Sequence, residues 1–173
     1  MTKTFNIFEG DSKSEFDDKY AVVVSKFNSF ATEKLLEGCV QTLLNNGVYE
    51  KHLDVVTVPG AFEIPVITKN LLDSKKYNAI ICLGAVIRGE TPHFDYICSA
   101  VSSELASLGV LSGIPVIFGV ITTNTIEQAM DRAGGKVGNK GSEAALAAIE
   151  MVSLKKIMKD KTEKDKMAEQ LGF

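Results

Sequence analysis

The hydrophobic and polar positions of this chain alternate in four rounds of a buried strand followed by a helix. Residues 79–83 form an unbroken apolar run, which is too short to cross a membrane and typical of a strand buried on both faces, and residues 20–25 form a β-branched buried strand. The predicted strands cover residues 20–25, 53–58, 78–87 and 114–121. This alternation predicts a parallel sheet covered by helices on both faces, with right-handed crossovers.

The helices that follow the strands are recognised by capping residues and by apolar residues at helical spacing. Thr91 is the predicted N-cap of the third helix and Gly109 follows its end, while Asn124 and Glu127 form a capping box for the fourth helix. The first helix is predicted to be capped by Asn28 or Ser29 and ended by Gly47, and the others cover about residues 62–72, 92–108, 124–133 and 142–158.

The two ends of the chain differ from this repeating core, and we predict one domain spanning residues 1–173. Residues 1–18 form an N-terminal arm in which Phe5, Ile7 and Phe8 are typical of an edge strand that could pair with another subunit. Residues 159–173 form a C-terminal tail of alternating charge. The tail is either a solvated helix end or a disordered extension.

Composition excludes several kinds of partner. The 173 residues carry 45% hydrophobic and 24% charged side chains, with a net charge of −3. There is no basic block of the kind that nucleic-acid binding needs, and no apolar segment approaches the roughly 20 residues required to cross a bilayer. The N-terminus also has no apolar core of signal-peptide length. We therefore expect a cytoplasmic protein that binds neither nucleic acid nor membrane.

Cysteine and histidine are too few and too dispersed to suggest a metal site or a disulfide framework. Cys39, Cys82 and Cys98 all lie within apolar patterns, and His52 and His93 are the only histidines. The cysteines are expected to be reduced core residues, and a nucleophilic role for Cys98 is disfavoured because it lies inside a helix. No metal ligand is predicted.

The stretch from Gly89 to His93 joins the carboxyl end of a strand to the start of a helix. A lone histidine is more often a solvent-facing residue, but ligands of open parallel sheets bind at the carboxyl ends of the strands. The free N–H groups of a helix start form an anion site there. His93 lies in the first turn, where the helix dipole disfavours protonation, so its imidazole is expected to accept a proton.

The turns after all four predicted strands should meet at one edge of the sheet. They carry Phe27, Phe62 and Glu63 beside the stretch that ends at His93. Each aromatic ring alone is more often a loop anchor than a binding surface. Together they suit a flat polar heterocycle with a hydroxylated chain.

Arg132 and Lys140 form a second cluster around the glycine-rich loop at residues 134–141. Taken singly, Arg132 is a favourable cation at a helix C-terminus, and Lys136 and Lys140 are solvated surface residues. The loop follows a helix and matches neither GxGxxG nor GxxxxGK[ST]. A nucleotide phosphate loop is therefore excluded.

Four long segments of the chain, in order, resemble the signature segments of the lumazine synthase family. They are VVVSKFN, VPGAFEIP, LGAVIRGETPHFDY and IPVIFGVITTNTIEQAMDRAGGKVGNKG. The resemblance runs from about residue 20 to 155. Because several long segments lie in register, the signal is far more specific than any short motif.

The resemblance implies an enzyme of riboflavin biosynthesis. It would condense 5-amino-6-(D-ribitylamino)uracil with 3,4-dihydroxy-2-butanone 4-phosphate to give 6,7-dimethyl-8-ribityllumazine, phosphate and water, without cofactor or metal. The implied fold is α/β, a three-layer flavodoxin-like arrangement with sheet order 2-1-3-4 and an extra N-terminal edge strand lent to a neighbour. The resemblance also implies homopentamers, their assembly into an icosahedral shell, and riboflavin synthase as a candidate partner.

The resemblance also assigns roles to residues by their positions in these segments. His93 would transfer protons. Glu90 would have to point its carboxylate away from the phosphate. The pyrimidine and ribityl chain would be bound by Phe27, Asn28, Ala61, Phe62, Glu63, Val86, Ile87 and Phe118, and the phosphate by Gly89, Glu90, Thr91, Arg132 and Lys140.

Helix direction separates two of these residues within one chain. A helix of about ten residues, rising 1.5 Å for each, runs roughly 15 Å back from the edge of the sheet and places Arg132 far from His93. We therefore expect a site shared between subunits. Two alternatives to this enzyme remain open, a related riboflavin synthase and a non-catalytic flavin-binding shell protein.

Overall fold

Four parallel strands form the central sheet, and β1 and β2 have the bounds that the sequence predicts. The computed structural model describes residues 5–171, with the side chains of all of these except residues 165 and 168–171. The strands are β1 (Tyr20–Ser25), β2 (Leu53–Val58), β3 (Ala79–Ile87) and β4 (Val116–Thr123), in the order β2-β1-β3-β4. The predicted parallel sheet and its order are confirmed.

Helices cover both faces of this sheet, because alternate residues of each strand point to opposite sides. Val22 and Ile81 belong to the core beneath one helical layer, and Val23 and Cys82 to the core beneath the other. Each fully buried aliphatic side chain contributes about 1.5–3 kcal/mol. Within residues 5–171 the helices are α1 (Ser29–Asn45), α2 (Ile64–Asp73), α3 (His93–Ser112), α4 (Ile126–Arg132) and α5 (Lys140–Leu171).

The third helix differs from its predicted bounds at both ends. It continues past Gly109 and ends before Gly113, whose φ of 63° gives the left-handed conformation that terminates helices. Gly109 instead lies inside the helix, where an added Cβ would stand 3.5 Å from the Cβ of Val116. Thr91 does not cap the helix. Pro92 occupies the N-cap position, without a side-chain hydrogen bond.

The fourth strand lies two residues further along the chain than predicted, and the fourth helix is shorter than predicted at both ends. β4 begins at Val116, and the preceding Pro115 has no N–H for a ladder. The fourth helix is capped one residue later than predicted and without a capping box, because Thr125 has the extended backbone that an N-cap requires. Its hydroxyl accepts from the Gln128 N–H at 3.2 Å, while Gln128 Oε1 accepts from the Asn124 N–H at 2.9 Å.

The glycine-rich segment was predicted as a loop but contains a short antiparallel hairpin, β5 (Ala133–Gly135) and β6 (Gly138–Asn139). The last helix then begins at Lys140, two residues earlier than predicted. Asn139 Oδ1 accepts from the N–H groups of Gly141 and Ser142 at 2.8 and 3.2 Å, as a capping side chain does. Of the two expectations for the tail, the helical one is correct as far as Leu171.

The N-terminal arm lies along α5 of its own chain. Lys156 forms ion pairs with Glu15 at 2.8 Å and with the buried Asp18 at 2.6 Å, and the Asp11 N–H donates to Ser153 Oγ. Residues 5–19 form no strand with their own sheet, and residues 1–4 lie outside the described part of the chain. Pairing of the arm with a neighbouring subunit stays a prediction.

Candidate active site

A cleft of about 760 Å³ opens at the carboxyl ends of β1, β2 and β3. This volume falls within the range of about 300–1,000 Å³ that is common for small-molecule sites. The structure brings ten of the predicted site residues together here: Phe27, Asn28, Ala61, Phe62, Glu63, Val86, Ile87, Gly89, Thr91 and His93.

The first wall of the cleft is fixed by the turn between β1 and α1. The Phe27 N–H donates to the Pro59 carbonyl at 3.0 Å, and the Asn28 side chain donates to the Ala85 carbonyl at 2.9 Å. Asn28 occupies the predicted N-cap position of α1 with a left-handed backbone, but its side-chain amide holds β3 and makes no capping hydrogen bond. The backbone is thus anchored while the Phe27 ring stays 70% exposed and free to stack on a ligand.

The second wall is the turn between β2 and α2, in which Glu63 has a structural contact. Its Oε2 accepts from the Gly60 N–H at 2.9 Å, which closes the 3-10 turn Ala61–Glu63. This turn precedes α2, which was predicted to begin near Phe62. Phe62 is 58% exposed, so the rings of Phe27 and Phe62 both present open faces.

The third wall contains the strand end, the loop and the first turn of α3. Val86 and Ile87 lie at the end of β3, and an added Cβ on Gly89 would meet no atom within 4 Å. Thr91 and His93 line the cleft beside them, whereas Glu90 is exposed and does not line it. The loop therefore offers polar groups to an open space beside two aromatic rings.

Phe118, Arg132 and Lys140 line a separate recess of about 420 Å³. The Arg132 Nη1 donates to the Gln128 carbonyl at 3.1 Å, and Lys140 pairs with Glu143 at 2.6 Å. The recess and the cleft share no lining residue. One chain thus presents two separate groups of predicted site residues.

Comparison with known proteins identifies the family of this chain. The family model described as 6,7-dimethyl-8-ribityllumazine synthase matches residues 17–156. The chain belongs to this family. A relative named 6,7-dimethyl-8-ribityllumazine synthase, from Desulfotalea psychrophila (strain LSv54 / DSM 12343), is 53% identical over 149 residues. The match covers 86% of this chain and 96% of the relative.

The cleft of this lumazine synthase family member contains residues that the sequence interpretation missed. Phe94, Tyr96 and Ile97 also line it. Tyr96 and Ile97 lie three and four residues after His93, so they share its face of α3. Helical periodicity counted from His93 was the signal that could have revealed Tyr96 and Ile97.

The cysteines of this family member are unsuited to nucleophilic chemistry. Burial raises the pKa of both Cys39 and Cys82 to about 12. Burial and, to a smaller extent, the Asp95 carboxylate also raise the pKa of the partly buried Cys98. Thiolates are therefore disfavoured near neutral pH.

Residues 5–171 contain neither a metal-ligand cluster among their described side chains nor a membrane-spanning helix. Among the residues of this region whose side chains the structure describes, no group of three or more His, Cys, Asp or Glu is placed to hold a metal ion. No helix in the same region has the length and apolar character to cross a membrane.

Proposed function

We propose that this chain forms 6,7-dimethyl-8-ribityllumazine from 5-amino-6-(D-ribitylamino)uracil and 3,4-dihydroxy-2-butanone 4-phosphate, releasing phosphate and water. Family membership supports the reaction, and the cleft supports its location. The observation that carries the proposal is the convergence of two exposed aromatic rings, an anchored carboxylate and a helix start with a histidine on one cleft.

The pyrimidine substrate occupies the part of the cleft formed by β1, β2 and the end of β3. Phe27 stacks on the pyrimidine ring. The backbone groups of Val86 and Ile87 bind the ring edge, which gives directional recognition without a charged side chain. The remaining contacts to the ring and ribityl chain come from Asn28, Ala61, Phe62 and Glu63, with Phe118 closing the aromatic pocket.

The phosphate-bearing substrate occupies the side of the cleft next to α3. The backbone N–H groups of Gly89, Glu90 and Thr91 and the Thr91 hydroxyl bind its phosphate, helped by the positive end of the helix. Arg132 grips the phosphate and Lys140 adds positive potential. Glu90 contributes only its backbone, because its carboxylate would repel the phosphate.

The protein's chemical task is modest because an amine and a carbonyl compound react once they are held together. Binding both substrates in one cleft converts a bimolecular encounter into an effectively unimolecular step. His93 moves protons during carbon–nitrogen bond formation, and the phosphate subsite stabilises the departing phosphate. No metal or organic cofactor is required by this scheme.

The complete site is formed by two subunits of a homopentamer. The separation of the cleft from the Arg132 recess supports this arrangement, because neither cavity alone contains both His93 and the cations. The cleft of one subunit would face the recess of its neighbour around a closed ring.

The compact segment at residues 134–141 resembles those of shell-forming family members, so we propose that the pentamers assemble into an icosahedral shell. Cytoplasmic localisation and riboflavin synthase as a partner complete the proposal. Sedimentation that shows only isolated pentamers across pH and phosphate conditions would contradict the shell.

Incubation with the two substrates tests the reaction directly. Lumazine fluorescence should appear at a rate well above that of the spontaneous reaction without protein. If the chain instead converted added lumazine to riboflavin, it would be a riboflavin synthase. Riboflavin binding with no rate above the spontaneous one would identify a non-catalytic flavin-binding shell protein.

A further inference from the structure

Arg88 connects three parts of the structure at the edge of the cleft. It directly follows β3, and its N–H donates to the Thr123 carbonyl at 2.9 Å. Its Nη1 and Nη2 donate to Asp95 Oδ2 and Oδ1 at 3.1 and 2.8 Å, and its Nε donates to Asn124 Oδ1 at 3.1 Å. The end of β3, the first turn of α3 and the turn after β4 therefore meet at one guanidinium.

The guanidinium also lies over an aromatic ring, with its central carbon 4.1 Å from the Phe94 ring centre. A bidentate contact to Asp95, a contact to Asn124 and a stacking contact to Phe94 leave little of the side chain for another ligand. An arginine beside a phosphate loop would ordinarily be a candidate phosphate ligand. Here three of its five N–H donors are already used within the chain.

The start of α3 lacks the usual means of fixing a helix end. Pro92 occupies the N-cap position without a side-chain hydrogen bond, and residues 89–91 are exposed. Within residues 5–171, the side-chain hydrogen bonds at this junction come from Arg88. The Asp95 carboxylate that Arg88 holds lies only two residues after His93.

The charges of this pair persist near neutral pH. Hydrogen bonding from Arg88 lowers the pKa of Asp95, and the same contact raises the pKa of Arg88. Because the two side chains are 42% and 58% exposed, solvent screens the pair and its effect on global stability is small. The consequence of losing the pair should therefore be local.

We propose that Arg88 is a positioning residue for the phosphate subsite. It holds the Gly89–Thr91 loop and the His93 turn in a fixed relation to the end of β4, through Asp95 and Asn124. The inference rests on the proposed function, since it concerns the binding of the phosphate-bearing substrate. Backbone N–H groups bind an anion well only when their directions are fixed in advance.

Steady-state kinetics of Arg88→Ala test this role in the full-length assembly. The KM for the phosphate-bearing substrate should rise about tenfold or more, because a small misplacement of binding groups can cost up to about a hundredfold. The KM for the pyrimidine should change less than about twofold, since Phe27 and Glu63 are held by other contacts. Melting temperature should change little.

Three further variants make the test specific. Arg88→Lys keeps the charge but loses the planar fork, so its KM should lie between wild type and Arg88→Ala. The double variant Arg88→Ala with Asp95→Ala should raise the KM for the phosphate-bearing substrate no more than the more impaired of the two single variants does. The effects should not add, because the two residues act as a pair. Lys69→Ala breaks a remote exposed ion pair of 2.6 Å with Asp73. This control should therefore keep the wild-type KM for both substrates.

Several outcomes would overturn the role. The first is an unchanged KM for the phosphate-bearing substrate in Arg88→Ala. The second is an equal rise in the KM values for both substrates together with a lower melting temperature. The third is a rise in KM in the double variant that equals the combined rises of the two single variants. A failure of the proposed function is distinguished at once, because wild-type protein itself would then form no lumazine.

Discussion

Arg132→Ala should lower kcat/KM for the phosphate-bearing substrate by about 10²–10³-fold, the usual effect of removing one preorganised donor to developing charge. Arg132 is the last residue of α4, and among the described residues it has a single hydrogen bond, to the Gln128 carbonyl, and no ion pair. The remaining donors can form a charge-assisted, bidentate contact with phosphate. Arg132→Lys should recover only part of the loss, because an ammonium group lacks the planar fork.

Lys136→Ala is the matched control for this prediction. Lys136 is a cation four residues after Arg132, in the turn between β5 and β6, but it does not line the recess. Its removal should leave the kinetics unchanged, and circular dichroism should show the fold intact in both variants. Near-normal kinetics for Arg132→Ala, at substrate concentrations below saturation, would remove Arg132 from the site.

His93→Ala should slow turnover by about 10²-fold, the lower end of what general acid–base catalysis contributes. The reduction is limited because the uncatalysed reaction is feasible and water can replace the imidazole. Binding of the pyrimidine, measured by calorimetric titration, should persist because Phe27, Phe62 and the β3 end form its contacts. This variant is therefore expected to lose turnover while it keeps its affinity for the pyrimidine.

The only other histidine provides the control. His52 ends the 3-10 turn before β2, at the amino end of the strands and away from the cleft. His52→Ala should retain wild-type turnover. If His93→Ala abolished pyrimidine binding, His93 would be a structural residue of the cleft instead of a proton-transfer group.

The sequence predicted strands more accurately than helix ends, and the reason is physical. β1 is a continuous, largely β-branched run whose burial on both faces leaves little freedom in its limits, whereas β2 is a partly exposed edge strand that is followed at once by Pro59 and Gly60. A helix end depends on the backbone angles of single residues, and several residues compete for the role. Gly109 and Gly113 are both suited to a helix end, but the left-handed conformation occurs at Gly113.

The location of the site was also accessible from sequence, because parallel strands bring their carboxyl ends to one edge of the sheet. That rule placed Phe27, Phe62 and His93 in one cleft. The role of Arg88 was not accessible, since its contacts to Asp95 and Asn124 depend on how the turn after β4 folds beside α3. Hydrophobic periodicity carries no information on such polar contacts.

Helix direction predicts the separation of Arg132 from His93, although α4 is shorter than expected. Its seven residues correspond to about 10 Å of helix instead of about 15 Å. The cleft and the recess are nevertheless distinct cavities in the single chain. A site completed by a neighbouring subunit is therefore the central claim to test.

Co-refolding of His93→Ala with Arg132→Ala tests this claim most directly. Mixed oligomers would be verified by native mass spectrometry, and each parent variant refolded alone provides the baseline. In a ring of shared sites, random mixing at equal amounts pairs a wild-type His93 with a wild-type Arg132 at about a quarter of the interfaces. Activity should therefore rise well above the average of the two parents. Mixed oligomers that never exceed that average would show that each chain contains a complete site.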